Sequence, residues 1–128
     1  MKIAPRTSPQ TGFTLLEIIV VVTIVGLLAT IAISNFVVAR DSGRLNTIRH
    51  NLREIEAAKE EWAFDHRKKD GSDVADISLL SDYFRGGTVH QVVQETYIPN
   101  PVGAPPEAAL PADVKLGPYG LGAVIPAP

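Results

Sequence analysis

Gly12-Phe13-Thr14-Leu15-Leu16-Glu17-Ile18-Ile19-Val20-Val21-Val22 opens a run that stays almost purely apolar to Ala39. Glu17 is the only ionisable residue between Phe13 and Ala39. At about 1.5 Å per residue these positions make a helix of roughly 40 Å. A bilayer's hydrocarbon core is about 30 Å thick, so the run is long enough to span it. Val, Ile and Thr are frequent here and would weaken a helix in water. In lipid an unpaired backbone group is so costly that helix is enforced. A carboxylate in such a segment is expensive and is a functional candidate by default.

Residues 1–12 carry Lys2 and Arg6 and no acid, with Pro5 and Pro9 opposing a helix. Positive charge ahead of an apolar span keeps that end cytoplasmic. The N-terminus is therefore expected inside and the residues after 40 outside. A cleavable secretory signal is disfavoured, because its apolar core runs only about 7–15 residues. The small-residue site Ala32-Ile33-Ser34 lies too deep in the run.

Beyond Ala39 the pattern becomes amphipathic. Leu45, Ile48, Leu52, Ile55 and Trp62 recur at helical spacing, and Ala57, Ala58 and Ala63 favour helix. Lys59 interrupts the stripe, although its stem can lie along apolar surface. Charge spacing places Arg53 against Glu56, and Glu56 against Lys59 and Glu60. Residues 40–68 are read as a continuation of the apolar helix 13–39, giving one helix from about Thr14 to about His66. Ser42 and Gly43 loosen the joint. The apolar stripe needs a cover, which residues 69–128 must supply.

That remaining segment is small and turn-rich, since eight of the ten prolines lie at or after Pro99. Asp76 is expected to N-cap a short helix Ile77–Phe84 ended by Gly86-Gly87. Thr88–Ile98 is read as a strand, with a helical turn over Val89–Glu95 nearly as plausible. Residues 104–113 are read as a Pro/Ala loop. Val114–Leu116 and Tyr119–Ile125 are expected to form a small hairpin around Gly117-Pro118, its edges blunted by Pro126 and Pro128.

The composition excludes several functions. The net charge is −2, and loss of Lys2 and Arg6 with residues 1–12 leaves ten basic against 14 acidic side chains. That argues against nucleic-acid binding, which needs clustered positive charge. With no cysteine, disulfides, thiolate nucleophiles and cysteine-ligated zinc are ruled out. Asp70, Asp73 and Asp76 miss the pattern of a calcium loop and are read as a solvated turn plus a cap. His50, His66 and His90 share no ligand spacing. Arg67-Lys68-Lys69 reads as a solvated helix end, and Trp62 as core. No metal site, cofactor, nucleophile–base pair or phosphate loop is expected, and the chain is not read as an enzyme.

Gly12-Phe13-Thr14-Leu15-Leu16-Glu17 followed by an apolar run resembles the processing and methylation motif of type IV pilins and type II secretion pseudopilins. Asn35–Arg40, Ala58–Ala63 and Tyr119–Val124 look like the small members of that group. The resemblance implies an α+β, pilin-like fold, a long helix packed by a small head. It implies cleavage between Gly12 and Phe13 by a prepilin peptidase, and N-methylation of Phe13. It implies a structural subunit anchored by one span in the inner membrane, its head periplasmic or, in a pilus, on the cell surface. The implied partners are the peptidase, copies of itself and other pilins or pseudopilins, an inner-membrane assembly platform, and lipid. In the implied filament Glu17 pairs with the Phe13 amine of a neighbouring copy. The family often carries a proline where this chain has Ser34, so helix flexibility is expected from Gly26, Thr30 and Ser34. The competing reading is a membrane-anchored periplasmic binding or scaffolding module that never polymerises.

Overall fold

The computed structural model describes residues 12–128. Positions 1–11, including Lys2, Pro5, Arg6 and Pro9 of the expected leader, lie outside the described residues. The chain divides into two compact units, Met1–Phe36 and Val37–Pro128.

One helix, α1, runs Leu15–Asp65. Thr14 caps its start, its Oγ1 accepting the Glu17 amide at 3.2 Å, while the Thr14 carbonyl accepts the Ile18 amide at 3.2 Å. A Thr followed three residues later by Glu is the sequence of a capping box, and the Thr half of it is formed here. The other end closes on a Schellman motif: the Lys68 amide reaches the Ala63 carbonyl at 2.8 Å and the Arg67 amide that of Phe64 at 3.2 Å. Arg67 takes the left-handed position, φ 51°, that glycine usually fills.

Within the first unit every side chain from residue 12 is exposed. An 18-residue window there reaches a mean hydropathy of 2.7, so α1 contains a stretch long and apolar enough to cross a membrane. Thr23, Thr30 and Ser34 return their hydroxyls to the carbonyls of Ile19, Gly26 and Thr30. These bonds satisfy polar groups that an apolar solvent would leave unpaired.

In the second unit Leu45, Ile48, Leu52, Ile55, Ala58, Trp62 and Ala63 of α1 are buried, as the stripe requires. A 3₁₀ helix η1, Ile77–Tyr83, covers part of it through the fully buried Leu80. Asp76 is its N-cap and accepts the Ser78 amide at 3.0 Å, as expected. The element is 3₁₀ rather than α, and Phe84, not glycine, stands at its C-cap in an extended conformation. Gly87, φ 73°, closes the next turn onto the Phe84 carbonyl.

Three short strands follow: β1 Thr96–Ile98, β2 Glu107–Ala109 and β3 Val124–Pro126. They form one antiparallel sheet in the order β1-β2-β3. Tyr97, Ala108 and Ile125 align across the strands and all face the core. Three expectations are corrected here. The segment 104–113 is not simply a loop, because Glu107–Ala109 is the central strand. Val114–Leu116 does not pair with Tyr119–Ile125 as a hairpin; only a single bridge joins Leu116 and Tyr119 across Gly117-Pro118. The closing segment instead passes that turn and pairs with β2. The Thr88–Ile98 strand is likewise confined to its last three residues.

Candidate assembly site and the polar braces of the head

Gly12 and Phe13 precede the cap and are not helical. The Phe13 side chain is 79% exposed. Glu17 stands in the first turn of α1, and its carboxylate has no hydrogen-bond or ion-pair partner among the described residues. An acid in a first turn is favoured by the helix dipole. The capping role of Thr14 escaped the sequence reading, although Thr14-x-x-Glu17 is its signal.

Gly26 lies inside α1 with open space around it, so nothing within the chain requires its missing side chain. Ser34 sits eight residues on, and the helix runs through both without a break. The chain thus leaves Gly12, Phe13, Glu17, Gly26 and Ser34 all exposed along its N-terminal unit.

The polar chemistry of the head lies elsewhere. Glu95 is completely buried. Its carboxylate accepts the Val92 amide at 3.0 Å, the Val93 amide at 2.8 Å and the Tyr97 hydroxyl at 2.6 Å. Gln94, φ 63°, makes the turn that folds Glu95 back onto those amides. Burial pushes the Glu95 carboxyl up, but the donors from Tyr97 and the backbone outweigh it and hold the group below its ordinary range. Burial and the adjacent Glu95 raise the Tyr97 phenol in turn. Asn51 Nδ2 donates to Tyr97 Oη at 2.8 Å and to the His90 carbonyl at 3.0 Å, tying this cluster to α1.

Lys59 is a second brace. It is 1% exposed, and Nζ donates to the Pro99 carbonyl at 2.8 Å and to the Ala104 carbonyl. Desolvation lowers its pKa, opposed by Glu56 and Glu60. The residue that interrupts the apolar stripe is therefore the one that fastens the proline-rich turn. A third contact runs from Tyr83 Oη to Asp65 Oδ2 at 3.0 Å. The helix-surface ion pairs expected at Arg53, Glu56 and Glu60 do not form; the ion pair among the described residues is Arg40–Asp41 at 3.1 Å.

The three aspartates of the post-helix turn separate. Asp76 caps η1, while the Asp70 side chain packs beside Gly103. That turn is fixed by backbone bonds instead, Gly71 to Val102 at 2.8 Å and Val102 to Ser72 at 2.9 Å. Among the described residues no three His, Asp or Glu side chains are grouped as metal ligands. A cleft of about 640 Å³ lies between η1 and β1 and is bordered by Asp76, Ser81, Thr88, His90 and Tyr97.

The family model described as the prokaryotic N-terminal methylation motif matches residues 7–33. This segment carries the signature of type IV pilins and pseudopilins. No curated protein matches the chain, and no solved structure matches it. The matched motif points to a structural subunit. It implies processing by a prepilin peptidase and assembly into filaments. The α+β architecture, a long apolar N-terminal helix with a small three-stranded sheet, agrees with a pilin-like fold.

Proposed function

We propose that the chain is a prepilin, cut between Gly12 and Phe13, methylated on the new Phe13 amine and polymerised into a type IV pilus-like or type II pseudopilus filament. The matched motif carries this reading, together with a long apolar helix whose N-terminal half is exposed among the described residues. Residues 13–39 anchor the precursor in the inner membrane with the N-terminus in the cytoplasm. Residues 40–68 continue the helix, and residues 69–128 complete the head outside. The assembly platform moves the helix from lipid into a protein bundle, where packing and charge pairing replace lipid contact. Glu17 pairs with the Phe13 amine of a neighbouring copy, which neutralises two charges in an apolar setting and sets axial register. Gly26 and Ser34 give the helix its local flexibility.

The test is mass spectrometry of the protein taken from its native membrane. A chain beginning at N-methylated Phe13 supports the reading; an intact Met1 terminus or a cut near Ser34 overturns it. The cleft between η1 and β1 favours a second reading, a membrane-anchored binding module that never polymerises. Filaments containing the chain exclude that alternative.

A further inference from the structure

A pocket of about 390 Å³ lies within the second unit, between α1 and the turn that precedes β3. Its apolar border is Val37, Val38 and Leu45 of α1 with Pro118 of the turn, and its polar border is Asp41, Ser42 and Lys115. The turn is anchored at its centre. Leu116 is 1% exposed in the head core, its bridge to Tyr119 closes the loop, and Gly117, φ 55°, makes the reversal. Lys115, Gly117 and Pro118 are left exposed around that anchor.

Val37 and Val38 belong to the last turn of the apolar run, which ends at Ala39. From Val37 to Leu45 the helix rises about 12 Å. The headgroup layer adds about 5–8 Å on each face of a bilayer's hydrocarbon. In the anchoring proposed above, Val37 and Val38 therefore stand at the hydrocarbon edge, and the polar border of the pocket at the depth of lipid phosphates. The charge there is not balanced. Asp41 is already paired with Arg40 at 3.1 Å, and Asp113 does not border the pocket. Lys115, and Arg44 three residues beyond Asp41, have no ion-pair partner among the described residues. An apolar floor beside unpaired cations matches the two-part chemistry of a phospholipid.

We propose that this pocket holds an anionic phospholipid of the outer leaflet, its phosphate on Lys115 and its glycerol and upper acyl chain against Val37, Val38 and Pro118. The inference rests on the anchored reading of residues 13–39 and does not require polymerisation. Basic residues beside a span attract anionic headgroups, and a lysine stem lies along apolar surface while its ammonium reaches the phosphate level. The bound lipid gives the head a second membrane contact besides α1. It fastens the segment that leads into β3 and restricts rotation of the head about the helix.

The full-length chain, purified in dodecyl maltoside, is titrated with dioctanoyl phosphatidylglycerol and followed by native mass spectrometry. One saturable lipid adduct per chain is expected. Lys115→Glu is expected to weaken it about tenfold, and Lys115→Arg to keep it, with Trp62 fluorescence checking that each variant is folded. Equal adducts in Lys115→Glu and wild type place the lipid elsewhere on the apolar helix and overturn the proposal. So does equal binding of dioctanoylglycerol, which lacks the phosphate. Glycerol phosphate, which lacks the chains, is expected not to compete; full displacement by it shows a site for soluble phosphate esters and overturns the lipid. A protein dimer without the adduct gives the pocket to a second copy and does the same. Carbonate extraction of the native membrane reads insertion in parallel. An inserted chain without the adduct removes the lipid site alone; a chain that carbonate releases removes the anchored reading and the site with it.

Discussion

The phenol of Tyr97 donates to the carboxylate of Glu95 over 2.6 Å; Glu95 is completely buried and Tyr97 is 9% exposed. Tyr97 also accepts from Asn51, so one hydroxyl links β1, the turn before it and α1. Tyr97→Phe removes a donor from a buried acid and an acceptor from a buried amide. A buried polar group left unpaired costs about 1–3 kcal/mol. The full-length variant in detergent is expected to show that loss in urea unfolding followed by Trp62 fluorescence. A change within experimental error counts against the cluster as a brace.

The same cluster sets a pH dependence. The folded-state pKa of Glu95 lies below its ordinary 4.5. The folded protein therefore binds the proton less readily than the unfolded chain. The resulting stability is complete above about pH 4.5 and is lost as pH falls through the lower, folded-state value. Glu95→Gln is expected to be less stable at neutral pH and to show a shallower decline below pH 4.5. Parallel acid-unfolding curves for the two proteins would contradict this assignment.

Lys59 makes a different point about burial. Its ammonium is desolvated, which lowers the pKa, yet it satisfies the Pro99 and Ala104 carbonyls. Lys59→Met keeps the stem and removes the donor. Leaving those carbonyls unpaired costs about 1–3 kcal/mol, reduced by relief of the desolvation. Hydrogen exchange is expected to rise in residues 99–104 first, and uniform protection there would refute the role.

Arg67 holds a left-handed backbone conformation that costs an ordinary residue roughly 1–2 kcal/mol. Arg67→Gly removes that strain while keeping the Schellman bonds to Ala63 and Phe64. A gain of up to about 1 kcal/mol in unfolding free energy is the expected result, since glycine's greater freedom in the unfolded chain offsets part of it. A loss would mean that the Arg67 side chain has an unseen stabilising role.

Glu17→Ala separates anchoring from assembly. The variant is expected to insert, to be cut after Gly12 and to accumulate in the membrane without forming filaments. Normal filament yield would sink the pairing of Glu17 with the Phe13 amine.

How much of this was legible follows from the physics of each segment. The bounds of α1 were readable because an apolar run and a 3.6-residue stripe are both long, repetitive signals. Asp76 was readable because capping is local chemistry. Glu107–Ala109 was not, because a three-residue strand between prolines takes its identity from its two neighbours and not from propensity. Glu95 and Lys59 were missed as braces for a related reason. Their partners are backbone groups 2 to 45 residues away, which leave no periodic trace. At the N-terminal motif the residues were readable, and the Thr14 cap could have been read from the same six letters.

In the proposed processing, that cap governs access to the Gly12–Phe13 peptide. Because the first helical bond is drawn from Ile18 to Thr14, the Gly12–Phe13 peptide stands outside the coil of α1. A peptidase that grips stretched backbone can reach it without unwinding a turn. Cutting there replaces an amide with an ammonium just beyond the positive end of the helix dipole. Glu17 is the first opposite charge further along the chain. In the proposed processing, loss of the first twelve residues leaves the first turn of α1 intact and adds a positive charge at its tip, so that one cut strengthens the demand there for a counter-charge.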